Sequence, residues 1–246
     1  MKQSGLFVVA GIILILSAGQ SLGQDQRAPQ ANSQAEQSAS TKVTYNPPNH
    51  DAPGSRIGAS ARGSVDSDLT IEVLAPDDHI GWSAVSQPIL YSYLSRPVTL
   101  PLELTIDTHE LGKQREPLLE LTLHQDRPAG IFSLNLHDLG VRLTPGVDYR
   151  WSVAVVINPD QRSSDLIASG LIRYVPPPPA FASAVARLQG VALMRSYAEH
   201  GYWYDAIRAV SEGTDRRLDW RQERADLLDQ ISLPGPAARD RLAGKE

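Results

Sequence analysis

The chain has no cysteine among its 246 residues. No disulfide can staple it, so burial alone must hold its fold. The same absence excludes a thiol nucleophile, a thiolate metal site and a diacylglycerol-anchored lipoprotein. Blocks of basic residues are also missing. Lys and Arg (23) are scattered among Asp and Glu (28), for a net charge of -5. Nucleic acid needs a concentrated basic footprint and is excluded as a partner. The catalytic signatures are missing as well: no Gly-x-Ser-x-Gly elbow, no glycine-rich phosphate loop and no dinucleotide fingerprint. The six histidines show no His-x-x-x-His or Glu-x-x-His spacing. Beyond residue 16 there is no long apolar run. That one run, Leu6 to Leu16, follows Lys2 and precedes the small residues of Ser21-Leu22-Gly23. It has the order of a secretory signal covering residues 1–23. At about half the roughly 20 residues needed to cross a bilayer, it is short for a retained anchor. The expected location is the periplasm or outside the cell, with no membrane span once the signal is removed.

What is present is mostly β. Residues 24–61 are rich in Gln, Ser, Ala, Asn, Pro and Gly, with few large apolar side chains, and read as a disordered, turn-rich linker. A period of two then takes over across residues 62–176. Leu69, Ile71 and Val73 share a face. So do Ile89, Tyr91 and Tyr93; Leu102, Leu104 and Ile106; Leu119, Leu121 and Leu123; and Phe132, Leu134 and Leu136. The stretch from Gly146 to Val175 is the clearest, with two β-rich runs around the turn Asn158-Pro159-Asp160-Gln161-Arg162-Ser163. About seven alternating strands predict an immunoglobulin-like antiparallel β-sandwich. Its edges are expected to carry prolines and charges, which discourage edge-to-edge pairing.

Pro176 to Pro179 end the β part, and residues 177–180 read as a stiff spacer. The period then becomes helical over residues 181–233: one helix from Phe181 to Glu199, one from about Tyr204 to Glu212, and a third near Asp219 with Gln222 at capping-box spacing. Pro234-Gly235-Pro236 is expected to end the third helix, leaving residues 234–246 as a flexible tail. The fold class is therefore mainly β with α, a sandwich followed by a C-terminal helical hairpin within a three-helix segment.

Several stretches in this order carry a family resemblance. They are Pro47-Pro48, Leu74-Ala75-Pro76 with Gly81-Trp82, and Gln87 to Tyr93. The hairpin adds Tyr149-Arg150-Trp151 and Asn158 to Ser163, and the helical part adds Tyr197-Ala198-Glu199-His200-Gly201-Tyr202-Trp203-Tyr204-Asp205-Ala206. From about Asn46 onward the chain resembles the bacterial domain-of-unknown-function family 928. The resemblance implies export and carries no activity or cofactor onto any residue.

Each candidate site has a structural alternative. Asp160 and Arg162, at the hairpin tip, could form a recognition loop. The alternative is a well-capped turn with Arg162 paired to Asp160 or Asp165. Tyr202, Trp203 and Tyr204 could line a groove for a partner. The alternative, preferred because large aromatics are usually buried, is that they seal the helices onto the sheet. The segment around them resembles the turn of a tetratricopeptide-type helical hairpin, where small residues let helices approach. Trp151 reads as core. Asp77-Asp78-His79 has suitable metal-ligand chemistry, but adjacent turn residues rarely converge on one ion. No catalytic, metal or cofactor residue is therefore assigned. The expectation is an exported, non-enzymatic binding or assembly module whose partner is an unidentified envelope protein. The alternative is a glycan-acting enzyme, or a carbohydrate-binding module using Trp82, Trp203 and Trp220.

Overall fold

Alternation sets the strands. In the computed structural model, which describes residues 42–48, 56–60, 68–109, 117–213 and 220–244, nine strands precede five helices. The strands are β1 (Ala59–Ser60), β2 (Thr70–Val73), β3 (Gly81–Ser83), β4 (Ile89–Leu94), β5 (Leu102–Thr108), β6 (Pro117–Leu123), β7 (Gly130–Asn135), β8 (Asp148–Val155) and β9 (Leu166–Tyr174). The helices are α1 (Pro179–Val185), α2 (Gly190–Glu199), α3 (Trp203–Ser211), α4 (Trp220–Gln230) and α5 (Pro234–Ala243). The seven strands read from alternation are all present. The two additional ones, β1 and β3, are two and three residues long, too short for a period to show.

Two sheets form, with orders β1-β2-β4-β7 and β3-β9-β8-β5-β6. The β8–β9 hairpin is central to the larger sheet, with Trp151 opposite Gly170 and Val153 opposite Ala168. Leu102, Leu104 and Ile106 of β5, together with Trp151, Val153 and Val155 of β8, are fully buried. Among the described residues the named strands pair antiparallel except β3, which runs parallel to β9. The larger sheet is therefore mixed at that edge.

The sandwich and the helices share a single apolar core, and residues 41–246 form one unit. Tyr91 and Tyr93 alternate with the inward-facing Leu90, Ser92 and Leu94, yet they too are buried. Helical residues cover them: Tyr91 lies near Ser211 and Arg224, and Tyr93 lies near Gly235. The outcome is a helical layer on the outer face of the smaller sheet.

Four expectations are corrected. First, the expected helix from Phe181 to Glu199 is two helices, because Gly190 adopts a left-handed φ of 55° that interrupts the chain. Second, the proline spacer is shorter than residues 177–180, because Pro179 already opens α1. Third, residues 234–243 are helical rather than a flexible tail. Pro234 stands at the first helical position, where its missing N–H costs nothing, so it starts α5 as well as ending the preceding turn. Fourth, part of the expected linker belongs to the core. Val43 and Tyr45 are 3% and 7% exposed. The Gln230 side chain brackets them, accepting from the Tyr45 N–H and donating to the Val43 carbonyl. Arg56 donates to the carbonyls of Ala75, Ile231 and Ser232. The short sequence runs there hid anchors whose partners lie far along the chain. The expected signal at residues 1–23, the linker from 24 to 41 and the capping residue Asp219 lie outside the described residues. Among the described residues, no helix is long and apolar enough to cross a membrane.

Candidate functional site

The aromatic segment Tyr202-Trp203-Tyr204 enters α3 directly after Gly201, whose φ of 81° turns the chain out of α2. The α3 helix lies against β3 of one sheet and β4 of the other. Its first turn therefore points into the molecule. Tyr202, Trp203 and Tyr204 are 4%, 0% and 1% exposed. The Trp203 indole donates to the Leu74 carbonyl at 2.8 Å. The Tyr204 hydroxyl accepts from the Trp151 indole at 2.8 Å and donates to the Leu171 carbonyl at 2.9 Å. Gly81 makes room for this ring, since a Cβ there would lie 2.7 Å from Tyr204 Cε2. Tyr202 stacks on Phe181 with centroids 5.5 Å apart. These three residues form a seal between helix and sandwich, and they line no open groove.

The neighbouring polar groups are drawn into the same seal. Asp205 is 1% exposed and accepts from the Ala84 backbone N–H at 2.6 Å. Burial pushes its carboxyl up to about 6, against the opposing pull of that hydrogen bond and of Arg208. Tyr45 reaches His79 Nε2 at 2.7 Å, and His79 Nδ1 meets Asp78 at 2.6 Å. With Nδ1 protonated toward Asp78, Nε2 accepts a hydrogen bond from the Tyr45 hydroxyl. A carboxylate–imidazole–hydroxyl chain of this kind can activate a nucleophile. Here the hydroxyl is buried, its ring packs edge-on against Trp203, and burial holds it well above its ordinary pKa. The chain of bonds fastens the N-terminal segment to the turn after β2. Asp77 faces Arg56 at 3.7 Å.

At the hairpin tip, Arg162 pairs with Asp165 and, across to β5, with Glu103. Both carboxylates hold its guanidinium above the ordinary value. Asp160 donates its N–H to Asn158 Oδ1, a local turn bond. Asp160 is exposed and Arg162 is committed to structural pairs, so the tip is a braced turn. Trp220 lies under the guanidiniums of Arg221 and Arg224, at 4.5 and 4.9 Å. Trp82 tilts against Tyr202. With Trp203 buried, Trp82, Trp203 and Trp220 form no open coplanar platform.

Two further surface features lie among the described residues. One is an apolar groove of about 370 Å³ between α1, α2 and the turn after β3, lined by Val85, Pro177, Ala182, Val185, Leu188 and Leu193. The other is β6. It closes the larger sheet on one side, and among the described residues no strand pairs its outer edge. Its register against β5 puts Leu119, Leu121 and Leu123 on the same face as the fully buried Ile106, Leu104 and Leu102. The β6 leucines are only half-buried, and Leu118 is 43% exposed. The alternation identified this strand and its apolar face. Nothing in the sequence marked it as an edge, because edge position depends on which strands pair.

The family model described as Domain of Unknown Function (DUF928) matches residues 57–240. No curated protein and no solved structure matches the chain.

Proposed function

The chain belongs to the DUF928 family, and from that membership and the geometry above we propose that it is an exported, non-enzymatic binding module that takes an extended partner segment on β6. Export rests on the signal pattern of residues 1–23 and suits a cysteine-free chain in the periplasm or outside the cell. The observation that carries the binding role is the edge of β6, which no strand among the described residues pairs, beside a row of half-buried leucines. An extended segment laid there gains main-chain hydrogen bonds and covers apolar side chains at every second residue. The groups that could have served chemistry point the same way. Asp205, His79, Asp78 and Tyr45 bond to one another or to nearby backbone at the helix–sandwich seal.

The test is capture from an envelope extract by the chain begun at Gln24, beside a Leu118→Lys/Leu121→Lys variant. Leu118 is exposed and Leu121 half-buried on the inner row, so the variant is expected to stay folded with a somewhat lower thermal midpoint while losing the captured partner. Equal capture by the two proteins would sink the edge reading.

A further inference from the structure

We infer that the segment taken up by β6 is β6 of a second copy of this chain, paired antiparallel about a two-fold axis at Leu121. The inference rests on the edge-binding reading above and names its partner. The strand reads Pro117-Leu118-Leu119-Glu120-Leu121-Thr122-Leu123, with Leu119, Leu121 and Leu123 on the core side and Leu118, Glu120 and Thr122 exposed. A symmetric pair must match its two faces. An axis between two residues would set each leucine opposite an outward position and turn the apolar row to solvent, so the axis must pass through a residue. An axis through Glu120 sets two carboxylates directly opposite each other, which is unfavourable. An axis through Leu121 pairs Leu119 with Leu123 of the second copy, Leu121 with its own counterpart, and Glu120 with Thr122 of the second copy. No like charges meet, and the half-buried leucines of both copies form one continuous inner row. The two five-stranded sheets become one ten-stranded sheet.

A seven-residue edge falls short of the roughly 800 Å² per partner of a standard interface, so the pair is a weak, reversible one. Charge also fits a second copy. No Lys or Arg lies on the strand, and its single charge, Glu120, faces a hydroxyl in this register.

Sedimentation equilibrium of the chain begun at Gln24, at low ionic strength, tests the register through exposed positions that leave the core alone. Thr122→Lys sets an ammonium opposite Glu120 of the other copy on both sides of the axis, and the dissociation constant should fall about five-fold. Glu120→Gln/Thr122→Lys should return it to the native value, and Glu120→Gln alone should leave it nearly unchanged. An axis through Glu120 would instead make Glu120→Gln the tightening variant, which would overturn the Leu121 register. A dimer indifferent to all three variants would also overturn it. So would a strict monomer. If the monomer still captures an envelope partner that the Leu118→Lys/Leu121→Lys variant loses, the self-pairing inference fails while the edge-binding reading stands.

Discussion

Asp205 sits in the first turn of α3, where a carboxylate complements the helix dipole, yet the fold buries it almost completely. The folded chain holds its proton up to about pH 6, while the unfolded chain releases it near its ordinary 3.8. Between those values the folded state binds more protons. Stability therefore falls as pH rises through the window and stays lower above it, by about 3 kcal/mol for a shift of about two units. Asp205→Asn keeps an oxygen to accept from Ala84 and removes the charge. The difference in urea midpoint between variant and native chain should be small at pH 4 and should favour the variant by pH 7. A constant difference across that range would refute this role. At this scale the sequence was legible in part. Size and hydrophobicity correctly favoured burial of Tyr202, Trp203 and Tyr204. The burial of Asp205, and the bond from Trp151 to Tyr204 across 53 positions, depend on how the elements meet, which no local pattern encodes.

The α4–α5 pair is held by a buried ion pair. Arg224 donates from Nε and Nη2 to the two carboxylate oxygens of Asp240, each at 2.6 Å. Both side chains are less than 10% exposed. Removing one partner strands the other charge, so Asp240→Ala is expected to cost about 3–5 kcal/mol in urea unfolding. Replacing both, as Arg224→Met/Asp240→Leu, should cost clearly less than the single change. A double variant as unstable as Asp240→Ala would show that the pair itself, rather than the stranded charge, sets the cost. Strands were the most legible elements, because the period of two survives as alternating burial in β2, β5, β6 and the first part of β8. The last helix was misread for a definite reason. Pro234-Gly235-Pro236 serves equally as a stop and as a first helical turn, and the burial of Asp240 that decides between them comes from α4.

At the scale of the whole molecule, the segment around Val43 and Tyr45 is the least legible part, yet it is firmly anchored. Val43 and Tyr45 looked like isolated apolar residues in a polar stretch, yet they close the core against α4 and the turn after β2. A chain begun at Arg56 loses both buried side chains and the Tyr45–His79 bond. It should unfold at least about 3 kcal/mol below a chain begun at Thr41, by urea denaturation followed through tryptophan fluorescence. Equal stability would place these residues outside the cooperative unit. The sandwich followed from alternation, whereas its mixed edge and the edge position of β6 among the described strands required the strand order.

The bracket that Gln230 makes around Val43 and Tyr45 also has a meaning in time. Its two ends are 185 positions apart, and Arg56 waits for Ile231 across 175. A chain emerging N-terminus first presents Tyr45 long before its closing partner. Loops this long are slow to close and give nothing back until they do. The core is therefore completed only after the whole stretch between Tyr45 and Gln230 has been delivered.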